Sequence, residues 1–183
     1  MAGDSQLAHK LLDGLKGIEI GGGAHNAFHL DTINVDKYEG MSRFKEEEVK
    51  ACGSFMPVDV VSEGDDLPFE DKSYDFVISS HVIEHFPDPI KAIKEWHRVA
   101  RKYIFMIVPH RDRTFDRNRE LTPLQEFIDR HEGKIPLPEG DDHHSVWNLQ
   151  SFLEMCNYFG FKVYTTEDPD TKVGNGFTVV LEI

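Results

Sequence analysis

The run Tyr103-Ile104-Phe105-Met106-Ile107-Val108 is apolar at every position, and Pro109 ends it. Such a run has no polar face to offer water, so it suits a strand buried on both sides, as in a parallel sheet with helices above and below it. Four shorter candidates precede it, at residues 17–20, 32–35, 58–61 and 74–78. Each is rich in β-branched or aromatic residues and closes on glycine or polar residues, which is how a strand entering a turn reads.

Helical patterns alternate with these strands. Ser5 can cap a first helix in which Leu7, Leu11 and Leu15 recur at helical spacing, with Gly14 and Gly17 at its end. Asp88-Pro89 makes a cap and first-turn pair for a helix whose Ile90, Ile93, Trp96 and Val99 form one apolar stripe. Further on, a short helix is expected over residues 122–130, with Thr122 as cap and Pro123 in the first turn. Another is expected over 148–159, stopped by Gly160. Strands at 161–165 and 177–183, joined through Asp168-Pro169-Asp170, complete the pattern. Strands alternating with helices predict a doubly wound α/β domain, whose ligands sit beyond the carboxyl ends of the strands.

A chain of 183 residues falls within the roughly 100–200 residues of one domain, so residues 1–183 are read as a single unit. The stretch 109–147 turns polar and is read as an insertion covering the active site. With 33 acidic against 20 basic residues, the formal charge is −13. That charge disfavours nucleic acid and anionic membranes as partners. Cys52 and Cys156 resemble neither a disulfide framework nor a thiol metal site, and a reducing, cytoplasmic setting fits them. Residues 1–16 carry Asp4, His9, Lys10 and Asp13 among their apolar positions and read as neither a secretion signal nor an anchor.

The strand ends are where chemistry is expected. Glu19-Ile20-Gly21-Gly22-Gly23 offers a turn without side chains, on whose backbone a ligand can lie while Glu19 points at a cationic or hydroxyl-bearing group. An ordinary strand turn reads the same way, so the motif does not decide by itself. A dinucleotide fingerprint would require glycine where Asn26 stands, and the Gly-Lys-Ser/Thr of a P-loop is missing. Asp36, ending the second strand, can accept from both hydroxyls of a ribose. An acidic cluster follows strand three and a His-rich turn follows strand four, and all four would face one crevice.

Together with Ile33-Asn34-Val35-Asp36, Leu67-Pro68-Phe69, Ser73-Tyr74-Asp75-Phe76-Val77 and His81-Val82-Ile83-Glu84-His85, the glycine turn resembles the ordered motifs of class I S-adenosylmethionine-dependent methyltransferases. The resemblance runs from about Gly17 to Val108. It implies a Rossmann-like, seven-stranded, mostly parallel sheet with one antiparallel strand and S-adenosylmethionine as the cofactor. It also implies that Glu19, Gly21, Gly22 and Gly23 hold the methionine part, that Asp36 holds the ribose, and that Glu63 and Gly64 meet the adenine. His81 is counted with the cofactor site as well. The family usually has Asp where this chain has Glu63, and Asp65 and Asp66 leave the register open, so Asp65 is kept as a cofactor residue. Gly21 and Asp36 stand closer than the roughly 20 residues of a standard crossover. The first crossover helix is therefore expected to be shortened, with residues 26–30 mostly loop.

On the acceptor side, methyl transfer to oxygen or nitrogen benefits from a nearby base. His81, His85, His110, Asp112, His143 and His144 are the candidates, of which His110 and His143 are taken as catalytic. His81 and His85 could also ligate a metal with His110 or His143. Because Glu84-His85 recurs in the family motif, where it shapes the turn, no metal is assigned. The run Arg111, Arg113, Arg117 and Arg119 could grip a phosphate or carboxylate, although a solvated insertion with local ion pairs reads equally well. Thr114-Phe115-Asp116 with Asp142-His143-His144-Ser145-Val146-Trp147 resembles an insertion in bacterial methyltransferases encoded near glycosyltransferases, which hints at a small, sugar-related acceptor. The sequence leaves two rivals: a binding module that keeps the cofactor pocket without transfer, and a nicotinamide-dependent reductase.

Overall fold

The computed structural model describes residues 5–183; the part of the N-terminal reading that concerns residues 1–4 lies outside them. Seven strands form one sheet: β1 (Gly17–Ile20), β2 (Thr32–Asp36), β3 (Val60–Val61), β4 (Tyr74–Ser80), β5 (Ala100–Pro109), β6 (Lys162–Glu167) and β7 (Gly176–Glu182). Their spatial order is β3-β2-β1-β4-β5-β7-β6. Strands β1 to β5 pair in parallel, and β7 runs antiparallel to both of its neighbours. The expected fold class therefore holds, including the single reversed strand.

Five α-helices flank the sheet: α1 (Gln6–Leu12), α2 (Arg43–Cys52), α3 (Pro89–Val99), α4 (Leu124–His131) and α5 (Leu149–Tyr158). The stripe Ile90, Ile93, Trp96 and Val99 on α3 is completely buried. It packs with Ile18, Val77, Ile104 and Met106 into the larger core, on the face shared with residues of α4 and α5. Alternate residues of the same strands, Phe76, Ile78, Phe105 and Ile107, point to the opposite face and meet Ala8 and Leu12 of α1 together with Phe28. Burial on both faces is why β5 tolerates no polar residue along its centre.

Caps set several boundaries as the sequence suggests. Ser5 accepts from the Ala8 amide, and Asp88 Oδ1 accepts from the Ile90 and Lys91 amides. Asn148 and Ser151 form a reciprocal capping box at the start of α5. Replacing Asn148 by alanine is expected to lower stability by about 1 kcal/mol, read as a shift of the urea midpoint at unchanged slope.

Two expectations are corrected, and one helix was not anticipated. Strand β3 shrinks from residues 58–61 to Val60–Val61. Thr122 does not cap α4, because its hydroxyl accepts the Val146 amide instead and Pro123 takes the cap position with no side-chain bond. Helix α2 has no counterpart in the sequence reading. Ser42 caps it by accepting from the Lys45 amide, and Gly53, at φ 81°, ends it in the left-handed conformation that glycine adopts without strain. The shortened first crossover is as expected: one 3-10 turn, Ala24–Asn26, stands where a full helix would otherwise lie.

Candidate active site

The carboxyl ends of β1, β2, β3 and β4 open on one crevice of about 1500 Å³. Strand order reverses beside β1, where the chain crosses from β3 to β4, and doubly wound sheets bind ligands at such a point.

The glycine turn after β1 is built for close approach. Gly21 sits at φ 62°. A Cβ on Gly22 would come within 2.9 Å of Met56 Sδ, Asn34 Oδ1 and the Glu19 carboxyl carbon. The Gly22 amide donates to Asn34 Oδ1 at 2.9 Å, and the Asn34 amide group donates to the Pro57 carbonyl. Asn34 thus holds the turn's shape from the neighbouring strand. Glu48 holds it from α2, accepting from the Ala24 and Met56 amides through one carboxylate oxygen. Neither residue was singled out from the sequence. The signal for Glu48 lay in Ser42 and Gly53, which bracket its helix, and Asn34 lies inside the very motif quoted for β2.

Glu19 is 4 % exposed and lines the crevice. The Thr32 hydroxyl donates to it at a long 3.4 Å. Burial pushes its carboxyl up to about 7, against the weaker pull of Thr32 and of Lys172. A buried carboxylate so thinly bonded suits a cationic ligand.

Asp36, Glu63, Gly64 and Asp65 line the same crevice. Asp36 Oδ1 accepts the Tyr38 amide at 2.8 Å, which fixes the carboxylate at the strand end. The Gly64 carbonyl accepts from the indole of buried Trp96 at 2.7 Å. Asp65 is drawn to Lys91, 3.0 Å away. Asp66 does not line the crevice.

Beyond β4 the crevice is lined by His81, Glu84, His85 and His143. His81 adopts φ 56°, and burial lowers its pKa to about 4. His143 comes from the insertion. Its Nδ1 donates to Asp116 Oδ2 at 2.6 Å, and Asp116 also accepts from Arg119 at 2.7 Å. The same stretch brings Asp141 to the end of β2, where it pairs with Lys37, accepts from the Tyr38 hydroxyl at 3.1 Å, and offers its carbonyl to His85 Nδ1 at 2.9 Å. Stacking of Phe127 on Trp147, with ring centroids 5.3 Å apart, anchors it to the core.

Of the other candidates, His110 stands apart from the crevice lining. Its Nδ1 accepts the Asp112 amide at 3.1 Å, and its ring abuts Phe177. Asp112 is taken up by Arg111, and His144 Nε2 meets the Gly140 carbonyl. In the arginine run, Arg113 pairs with Asp168, while Arg113 and Arg117 line a smaller adjoining cavity of about 610 Å³ with His81 and His143. Among the described residues no helix is long and apolar enough to cross a membrane.

A family model described as a methyltransferase domain matches residues 19–107, from the buried acid of β1 into β5. No curated protein matches the sequence. Solved structures do resemble the fold. A SAM-dependent methyltransferase from Aquifex aeolicus shares 19 % identity at a TM-score of 0.57, with 98 % of this chain and 89 % of that one covered. A Thermotoga maritima structure, described as a SAM-dependent methyltransferase and possible histamine N-methyltransferase, shares 21 % at 0.58, with 97 % and 86 % covered. One from Methanosarcina mazei shares 17 % at 0.57, with 97 % and 96 % covered.

Proposed function

We propose that this chain, whose residues 19–107 match a methyltransferase-domain model and whose fold resembles S-adenosylmethionine-dependent methyltransferases, transfers a methyl group from S-adenosylmethionine to an oxygen or nitrogen atom of a small molecule. The observation that carries this reading is the buried Glu19 carboxylate beside a side-chain-free turn, on the same crevice as Asp36. Glu19 would take the ammonium of the methionine part, the backbone from Gly21 to Gly23 would lie along it, Asp36 would accept from the ribose hydroxyls, and Glu63 with Gly64 would border the adenine. His81, lining the turn after β4, would stand against the reacting end of the cofactor. The sulfonium supplies an electrophilic methyl group, whose carbon–sulfur bond breaks with the electron pair left on sulfur.

What remains for the protein is to position the acceptor, exclude water and relieve the nucleophile of its proton. The crevice, at about 1500 Å³, exceeds the ~300–1,000 Å³ of an ordinary single-ligand pocket, which supports room for donor and acceptor together. The insertion 109–147 closes over the acceptor in this reading, supported by the ties of Asp141 to Lys37 and Tyr38. We assign acceptor activation to the group of Glu84, His85 and His143, which turns ligand and proton-accepting atoms toward that space; His110 has no part in it. The two cysteines, both free, support a reducing, cytoplasmic setting.

The raised pKa of Glu19 yields a pH prediction. Below about 7 the empty site holds Glu19 protonated, so binding the methionine ammonium must expel a proton, and affinity falls as pH falls through that value. Titration with S-adenosylhomocysteine at pH 8 and at pH 6 is expected to show roughly tenfold weaker binding at the lower pH, one decade per unit for one proton displaced. Glu19→Gln is expected to bind weakly at both. Equal pH slopes in the two proteins would remove Glu19 from the site. Activity itself is tested by supplying a panel of hydroxyl- and amine-bearing acceptors and measuring S-adenosylhomocysteine release. Cofactor binding with no turnover on any acceptor would overturn the catalytic reading.

A further inference from the structure

We infer that Glu84, His85 and His143 form a binding site for a divalent first-row transition metal ion at the acceptor end of the crevice. Glu84 is fully buried, and neither of its carboxylate oxygens has a hydrogen-bond partner. A buried carboxylate left so is costly unless a cation or proton meets it. What faces it instead are imidazole nitrogens: His85 Nε2 at 3.8 Å and His143 Nε2 at 3.7 Å, with His81 Nδ1 at 3.9 Å, from the same oxygen. All three distances are too long for hydrogen bonds.

The tautomers explain why these atoms do not bond to one another. His85 Nδ1 faces the Asp141 carbonyl at 2.9 Å, and a carbonyl only accepts, so the proton resides on Nδ1. His143 Nδ1 is held the same way by Asp116 Oδ2 at 2.6 Å. Each ring is thereby left with the lone pair of Nε2 turned toward Glu84. Three electron-pair donors converge on one gap, their ligating atoms all within 4.8 Å of one another. Bonds of about 2.0–2.1 Å to nitrogen and oxygen put tetrahedral ligands roughly 3.3 Å apart, so the set closes when the two rings draw inward, by up to about 1.5 Å at the widest separation.

The surroundings match what metal-bound histidines need. A carboxylate behind His143 and a carbonyl behind His85 orient the rings and raise their basicity. Two imidazoles with one carboxylate make a donor set that suits zinc and its neighbours better than magnesium or calcium. Three protein ligands leave at least one coordination position, and Glu84, His85 and His143 all line the crevice. An acceptor oxygen entering there would bind the ion, lose its proton more readily, and present a lone pair to the methyl group. That role rests on the methyltransferase reading; ion binding itself does not.

The test is therefore run without cofactor. Chelator-treated protein is titrated with Zn²⁺ alone, and separately with Mg²⁺ and Ca²⁺. One tight Zn²⁺ equivalent is expected, weakened more than about 100-fold in His85→Ala, His143→Ala and Glu84→Gln, and by about 10–100-fold in Asp116→Ala, the range for an outer-shell partner. Thermal unfolding checks each variant. Should Glu84→Gln not fold, His85→Ala, at a half-buried position, carries the comparison. No saturable Zn²⁺ uptake, uptake unchanged in the folded variants, or binding of Mg²⁺ and Ca²⁺ only would overturn the site. Zn²⁺ uptake in a protein that fails to bind S-adenosylhomocysteine in a separate titration would instead count against the cofactor reading and leave the ion site standing.

Discussion

Replacing His143 by alanine is expected to cut turnover by about 10²–10⁴-fold, the usual weight of one group that handles the acceptor's proton, while leaving cofactor affinity nearly unchanged. His143 lies at the meeting of the insertion and the crevice, 9 % exposed at its side chain. Asp116 and Arg119 fix its orientation through a chain of charge-assisted bonds of 2.6 and 2.7 Å. Nothing in that arrangement touches Glu19, the glycine turn or Asp36, so the loss belongs to the turnover rate. Single-turnover kinetics with saturating cofactor, alongside titration with S-adenosylhomocysteine, separates the two quantities. A fall in cofactor affinity matching the fall in rate would show that His143 supports the donor site and not the acceptor.

Asp36→Ala is expected to do the reverse. Losing a carboxylate that accepts from ribose hydroxyls costs about 1–3 kcal/mol, or roughly 5- to 150-fold in affinity. Because Asp36 also accepts the Tyr38 amide, Asp36→Asn serves as the control. It keeps an acceptor for that amide and loses the charge, so an intermediate loss is expected from it. Isothermal titration with S-adenosylhomocysteine reads both variants, and affinity unchanged in Asp36→Ala would remove this residue from the cofactor's neighbourhood.

The parts of the fold that were legible before the structure are those whose signals are local. An apolar run as continuous as that of β5 has few places to go, and Asp88-Pro89 followed by a stripe at helical spacing marks α3 from its own residues. The glycine turn and Asp36 were legible as a pair because both close strands whose order the alternation implies. Helix α2 was not. Its sequence, Arg43 to Cys52, carries few apolar residues, and two of its buried positions are Lys45 and Glu48. That helix is held by polar bonds: Lys45 to the Tyr38 and Glu39 carbonyls, and Glu48 to the Ala24 and Met56 amides. Such bonds form with backbone groups outside the helix, and hydrophobic periodicity is blind to them.

The acceptor side was harder for a related reason. His110 and His143 look alike in sequence, each a histidine in a polar stretch. What divides them is tertiary: the crevice passes His143, while His110 caps its own turn and abuts Phe177. Likewise the motif His81-Val82-Ile83-Glu84-His85 reads as a shaped turn until His143 arrives from the far end of the insertion, bringing its Nε2 to 3.7 Å from Glu84. Thr122, read as a helix cap, was claimed by a backbone amide from the other side of that same insertion.

A crystal structure with S-adenosylhomocysteine bound is expected to show its amino group on Glu19, its ribose on Asp36, its adenine against Glu63 and Gly64, and its sulfur turned toward His81 and the space before His143. The ligand bound elsewhere, or these strand ends left without contact to it, would rule out the crevice as the cofactor site.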